Sequence, residues 1–373
     1  MQNSFVKVQS KLLKRFLDEV VFIELKQINA GIFSEIESPD VVQLPVYISD
    51  LAERIKENDI ESIPPIAIIK GLVYVIGANA ELPNMSFYKQ LLLKIDADIA
   101  KSILSDGIRY ATDSQFSNAI LYFNAAINLE PYNIDATYNL GRAFEDLSEL
   151  EARPELKKLA KYCYEKCIEI DPNFGYAYFS LGFSLYNEEN YLKAEENWLI
   201  ALNFPLTEEM REEVVMGLGR VRDKAAYERG YQLILSGRVN EGLEVLCALE
   251  EDHDEWWNLL FFIGVGNRML ERYEDALGYF LKVMTLNTGH IQTMNEIGIC
   301  LISIGDYNEA ERYFKEALRL SPENAEIICN LGIVYFNKGD DKTARDYFDR
   351  AHLIAPEDEV IQMWLDHINK KLI

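Results

Sequence analysis

Cys163 and Cys167 are the first residues whose spacing suggests chemistry. Four residues apart on a helix, they share one face, and two thiolates on one face make half of a metal site or a redox pair. No second Cys or His pair completes such a site. The run Glu250-Glu-Asp-His-Asp-Glu255 offers carboxylates and His253 to a cation. It lacks the Gly-centred spacing of a calcium loop and reads as a solvated acidic loop. Gly264-Val-Gly266 has no preceding strand to make it a dinucleotide site. His290, His352 and His367 are isolated, and no Gly-rich phosphate loop, nucleophile elbow or HExxH occurs. These residues predict a protein that is not an enzyme, with no catalytic residues, no cofactor and no metal.

The elements that carry these residues recur along the chain. Asn295-Glu-Ile-Gly298 aligns with Asn330-Leu-Gly332, and the two glycines are 34 residues apart. Ala310 and Ala344, Phe314 and Phe348, Ala317 and Ala351, and Pro322 and Pro356 keep the same separation. Gly264, Ala276 and Phe280 lie one period earlier. Each unit reads as two helices: Ile297, Gly298 and Leu301 on one face of the first, Ala310, Phe314 and Ala317 on one face of the second. Glycine and alanine permit a close crossing, and the large residues between them fill the gap. Gly305-Asp306 and Gly339-Asp340 supply the turn, and the prolines end the second helix. Cys167 falls at the position held by Ala126, Ala201 and Ala317, so packing is the simpler reading of the cysteine pair.

This pattern resembles the tetratricopeptide repeat (TPR) family. The resemblance implies an all-α protein, an α-solenoid forming a right-handed superhelix of helix-turn-helix repeats. Seven copies can be placed over 100–358: 100–133, 134–174, 175–206, 223–256, 257–290, 291–324 and 325–358. Repeat 134–174 holds seven extra residues around Ser148 to Pro154, and residues 207–222 form an insertion rich in helix formers. The insertion is expected to lengthen a helix and either to make the superhelix irregular there or to divide the array into blocks 100–206 and 223–358. Residues 359–373 read as a capping helix with an apolar stripe of Val360, Trp364 and Ile368. Residues 1–99 read as an N-terminal helical domain or cap. Leu12, Leu13, Phe16, Leu17, Val20 and Val21 suggest a helix ending near Gly31, Ser38 to Val46 a loop, Asp50 to Lys56 a short helix, and Ser62 with Pro64 a helix start. Residues 66–99 suggest a helix pair, a degenerate repeat.

The resemblance also implies a concave face lined by the first helix of each repeat. The positions it exposes there include Tyr138, Asn139 and Arg142; Tyr176, Phe179, Phe183 and Tyr186; Tyr227 and Tyr231; Phe261, Phe262 and Arg268; and Asn295, Asn330, Phe336 and Asn337. Exposed rings in a concavity are the anchors a peptide groove would use. The alternative is that the rings pack on one another, on the N-terminal region or on the insertion. A clamp for a chaperone's C-terminal carboxylate is not expected, because Leu104 and Ile108 stand where Lys and Asn would be needed.

The expected function is a non-enzymatic interaction module that binds a protein or extended peptide. The alternative is a peptide-sensing regulator with an N-terminal helical bundle and a TPR-like sensor array. Self-association through the groove or an open repeat end is a further expectation. The chain has 37 Lys plus Arg against 61 Asp plus Glu, a formal net charge of −24. That excess argues against nucleic acid and an anionic membrane surface as partners. The stretch Met1 to Val6 lacks the marks of a signal peptide, and Ile66 to Ala80 is too short to span a bilayer. The sparse, odd set Cys163, Cys167, Cys247, Cys300 and Cys329 fits reduced thiols in the cytoplasm.

Overall fold

In the computed structural model, residues 8–9, 11–25, 42–50, 65–78, 82 and 84–371 are described. The helix start expected at Ser62, the short helix beyond Asp50 and the helix end near Gly31 lie outside them. The chain divides into two compact units, Met1–Leu218 and Gly219–Ile373.

In unit 1, residues 8–9 and 11–13 are helical, as expected around Leu12 and Leu13, followed by a 3-10 segment, Lys14–Glu19, and two strands, β1 (Val20–Leu25) and β2 (Val42–Tyr47). They pair antiparallel, with Val20 opposite Tyr47 and Phe22 opposite Pro45. The all-helical reading of this region is therefore corrected. The apolar period that begins at Leu12 breaks at Val20-Val-Phe-Ile, a run of β-branched and aromatic residues suited to a pleated surface. Pro45, which suggested a loop, is tolerated because each strand of a two-stranded ribbon is an edge strand.

Helix α1 (Pro65–Gly77) packs on β2 and on α4 (Phe116–Leu129). A Cβ on Gly71 would stand 2.3 Å from the Pro45 carbonyl oxygen, so strand and helix backbones meet directly. The last carbonyls of α1 have no partner within the helix. Asn128 Nδ2 donates to Ile76 O at 3.0 Å, and Asn124 Nδ2 donates to Gly77 O. Helix α2 (Met85–Ile95) touches α1 only lightly, so 66–99 does not pair as the later repeats do.

From α3 (Ile99–Thr112) onward, helices pair in sequence with α4, then α5 (Ile134–Leu150) with α6 (Glu155–Ile170), and α7 (Gly175–Asn187) with α8 (Tyr191–Ala201). The seven extra residues of the second repeat do not make a long loop. They lengthen α5 to 17 residues and α6 to 16. The insertion after 206 runs into the next repeat as one 28-residue helix, α9 (Glu208–Leu235), and the division between units falls inside it.

Unit 2 continues with α10 (Val239–Glu250), α11 (Trp257–Met269), α12 (Tyr273–Leu286), α13 (Ile291–Ser303), α14 (Tyr307–Leu320), α15 (Ala325–Asn337), α16 (Asp341–Ile354) and α17 (Glu359–Lys371). Helix α17 buries Ile361, Leu365 and Ile368 and leaves Val360 57% exposed. The expected stripe is corrected at two of its three positions: Ile361 and Leu365 are buried in place of Val360 and half-buried Trp364, and Ile368 is buried as expected. The fold is an all-α solenoid with a small β-hairpin at its N-terminal end.

One rule repeats through both units. The first-helix glycine faces the large residue of the second helix: Gly107 meets Phe123, Gly264 meets Phe280, and Gly332 meets Phe348. Each turn between the paired helices holds one left-handed residue: Ser114, Ala152, Glu189, Gly237, Glu271, Gly305 and Gly339. Gly305 has φ +85° and open space around a would-be Cβ, so an added methyl meets only backbone strain. Gly305→Ala is expected to cost about 1 kcal/mol, read as a lower urea midpoint with unchanged slope. No loss of stability would refute that reading of the turn.

Candidate functional site

The expected groove residues fall into two aromatic clusters, one in each unit. In unit 1, the Tyr138 ring on α5 lies 5.4 Å from Phe174, 5.7 Å from Tyr164 and 6.0 Å from Tyr176. Its hydroxyl is 3.1 Å from that of buried Ser180. One turn of α7 apart, Phe179 and Phe183 meet edge to face at 5.0 Å. Phe183 rests on Trp198 at 4.8 Å, and Tyr186 lies 5.9 Å from the same indole. Trp198 is fully buried on α8, its Nε1 donating to Phe179 O at 3.2 Å.

In unit 2, Tyr227 and Tyr231 come from α9, and Phe261 and Phe262 from α11. Tyr231 stacks on Phe262 at 5.0 Å, and Tyr227 lies 4.7 Å from Trp256. Phe261 touches Phe280 at 5.8 Å and meets His290 edge-on at 5.4 Å. Burial, with Tyr231 and Glu228 nearby, pushes the Tyr227 hydroxyl up to about 12.

None of these nine groove aromatics is fully exposed; each is half-buried and packed against other rings. The expectation of exposed anchors is corrected to half-exposed, mutually braced ones. Geometry explains it: residues one turn apart on a helix stand about 5–6 Å apart, close enough for rings to touch. Phe336 is likewise covered, with Trp364 at 5.6 Å and His367 at 5.3 Å.

The polar members separate as well. Arg142 is exposed, and Asn139 turns its amide back to Asp135 O at 2.8 Å. Arg268 forms an ion pair with Glu296 across successive first helices. Asn295 donates to Glu326 Oε1 at 2.8 Å and accepts from Asn330 Nδ2 at 2.9 Å. Burial raises the Glu296 carboxyl while Arg268 opposes the shift. Both acids, Glu296 and Glu326, stand at groove positions expected from sequence, and the structure gives each a polar partner.

Unit 1 holds a further groove-position carboxylate on a first helix, Glu145. Glu145 accepts from Tyr164 Oη at 2.8 Å and Ser184 Oγ at 3.2 Å, beside a cavity of 280 Å³ also lined by Glu149, Lys157, Phe183 and Glu188. Burial raises its pKa, and the two hydroxyl donors only partly oppose that. A raised pKa in the folded state means stability is fully present at low pH and lost as pH rises through that value. Glu145→Gln removes this dependence. It is expected to raise the melting temperature most at pH 8 and least at pH 5; a difference of opposite trend would refute the assignment.

The candidate chemistry resolves into packing. Cys163 and Cys167 are both buried, and burial pushes the Cys167 thiol up to about 12 and the Cys163 thiol well above its ordinary value. Neither is poised as a thiolate. Gly264 faces Phe280 and Gly266 faces Leu243, so both are crossing points of helices. His253 Nε2 lies 3.0 Å from Asp223 Oδ2, tying the acidic loop to α9. Among the described residues, no group of three or more His, Cys, Asp or Glu is placed to hold a metal. Nor is any helix among them long and apolar enough to cross a membrane.

Residues 301–365 and 163–196 each match a family model described as tetratricopeptide repeat. The chain is a tetratricopeptide-repeat protein, and its array is a protein-interaction scaffold of a kind that is generally non-catalytic. No curated protein matches it. Among solved structures it is similar to YrrB, described as a TPR protein with an unusual peptide-binding site. That likeness has 20% identity, 66% of this chain, 97% of that one and a TM-score of 0.28. It is similar to a MamA RS-1 double mutant at 20% identity, over 40% of this chain and 84% of that one, TM-score 0.36. The APC/C hetero-tetramer Cut9-Hcn1 matches at 15% identity, over 87% of this chain and 60% of that one, TM-score 0.40.

Proposed function

We propose that the protein binds an extended peptide or peptide-like segment of a protein partner against the aromatic cluster of a unit, and that it performs no catalysis itself. The observation that carries this reading is that each ring keeps one part in solvent while its other part is braced by a neighbour. Phe183 against Trp198 and Tyr231 against Phe262 are the clearest cases. Such rings are rigid, so a ligand gains contact area at little further loss of side-chain freedom. The Arg268–Glu296 pair and the Asn295–Glu326–Asn330 ladder would supply the polar contacts that fix a peptide's register. Nucleic acid and anionic membranes are not proposed as partners, given the net charge of −24. The five free cysteines suit a reducing compartment, and we place the protein in the cytoplasm.

The test is a displayed library of random peptides panned on the protein. Peptides enriched on the wild type should lose at least about tenfold in affinity on the triple variant Phe179→Ala, Tyr227→Ala and Phe261→Ala, a loss in the range set by hot-spot truncation. Circular dichroism must show the variant folded. Equal binding by the folded variant would reject the reading.

A further inference from the structure

A cavity of 460 Å³ opens beside α5, on the side turned away from the aromatic cluster. Its lining includes Thr137 and Leu140 of α5, Ile127 of α4, Tyr162 and Ile170 of α6, and Pro131 and Tyr132 from the turn between α4 and α5. At 100° per residue, Thr137 and Leu140 point nearly opposite to Tyr138, Asn139 and Arg142. The cavity and the aromatic cluster therefore use different faces of α5.

Its chemistry is apolar and neutral. The buried polar groups in the lining are already satisfied within the protein. Asn124 accepts from Gln9 Nε2 at 3.0 Å and donates to Gly77 O, and Thr137 Oγ1 donates to Asn133 O at 2.9 Å. Cys163 is buried and burial keeps it a thiol. The two charges in the lining, Lys166 and Glu169, are paired with each other, and Lys166 also lies 5.4 Å from the Tyr162 ring centroid. No uncompensated charge faces the space. Tyr132, one of the lining residues, is 83% exposed, a large ring left in water beside an apolar hollow. Ligand sites are commonly apolar hollows of about 300–1,000 Å³ with few polar groups. A dry cavity of about 150 Å³ holds one benzene, so this one has room for two or three such rings.

We propose that this cavity binds a small, neutral, apolar molecule of two- or three-ring bulk, with Tyr132 covering it. A charged ligand would bring its charge into a lining whose own charges are already spent on each other.

The probe is N-phenylnaphthylamine, a neutral dye whose fluorescence rises in apolar surroundings, titrated into the full chain. One saturable site is expected. Ile127→Glu, which sets a carboxylate on the wall, should weaken binding at least about tenfold. Tyr132→Ala should weaken it about threefold, through loss of one ring contact. Because Tyr132 is exposed, that variant keeps the fold even where Ile127→Glu does not. Phe179→Ala and Tyr227→Ala should bind as wild type does, and the sulfonated relative anilinonaphthalene sulfonate should bind more weakly. Absence of saturable binding would overturn the proposal, as would equal binding by both cavity variants, loss of binding in the aromatic-cluster variants, or preference for the sulfonated dye.

Discussion

Trp198→Ala is expected to cost unit 1 about 3–5 kcal/mol, the range for removing a fully buried large ring. The indole has no exposed surface and fills the space that Gly182 and Gly217 leave open. A Cβ on either glycine would approach it to 2.3 and 2.8 Å, so three helices, α7, α8 and α9, close on this one side chain. Its loss also leaves Phe179 O without its side-chain donor. The measurement is urea unfolding, with Leu199→Ala, an exposed neighbour, as the control expected to stay within about 0.5 kcal/mol. A loss below about 1 kcal/mol for Trp198→Ala would contradict the packing described. A functional consequence follows from the same contact. Phe183 and Tyr186 lean on the indole, so peptide binding to unit 1 should weaken although Trp198 itself is hidden.

The second large effect concerns the pair Gly298 and Phe314. A Cβ on Gly298 would lie 2.3 Å from the Phe314 ring, a distance no real contact adopts. Gly298→Ala should therefore destabilise unit 2 by about 1–3 kcal/mol through overpacking, even though alanine favours helix. Phe314→Ala should cost about 3–5 kcal/mol through the cavity it opens. The combination Gly298→Ala with Phe314→Leu should cost less than its two members summed, because the smaller side chain makes room for the new methyl. A coupling of about 0.5–3 kcal/mol is expected for residues in contact. Strict additivity would show that the glycine answers to something other than the ring.

These pairs also explain how much was legible beforehand. Gly298 with Phe314 and Gly332 with Phe348 recur at a fixed period because each repeat solves the same crossing. A local pattern therefore stands for a local contact, and the solenoid can be read directly. The N-terminal region has no such redundancy. Val20 to Leu25 pairs with Val42 to Tyr47 across a long separation, and a single short apolar run fits helix or strand equally. The candidate site was legible in part. Positions on first helices located Tyr138, Phe183, Tyr231 and Phe262, but their supports came from elsewhere: Phe174 and Trp256 from the turns, and Trp198 from a second helix. Sequence spacing reveals which residues share a helix face. It does not reveal which rings from other elements will lean against that face, and that decides whether an aromatic is exposed or braced.

The one-after-another packing of the helices has a mechanical meaning. Each pair from α11 to α16 is held by the pairs before and after it in sequence. Under tension, such a stack yields like a zipper, one 34-residue pair at a time. Each released pair would add roughly 110–120 Å of slack chain at about 3.3–3.6 Å per residue. Unit 2 is in this sense a stepwise extensible element, whose rupture pattern is set by the glycine–ring contacts that close each pair.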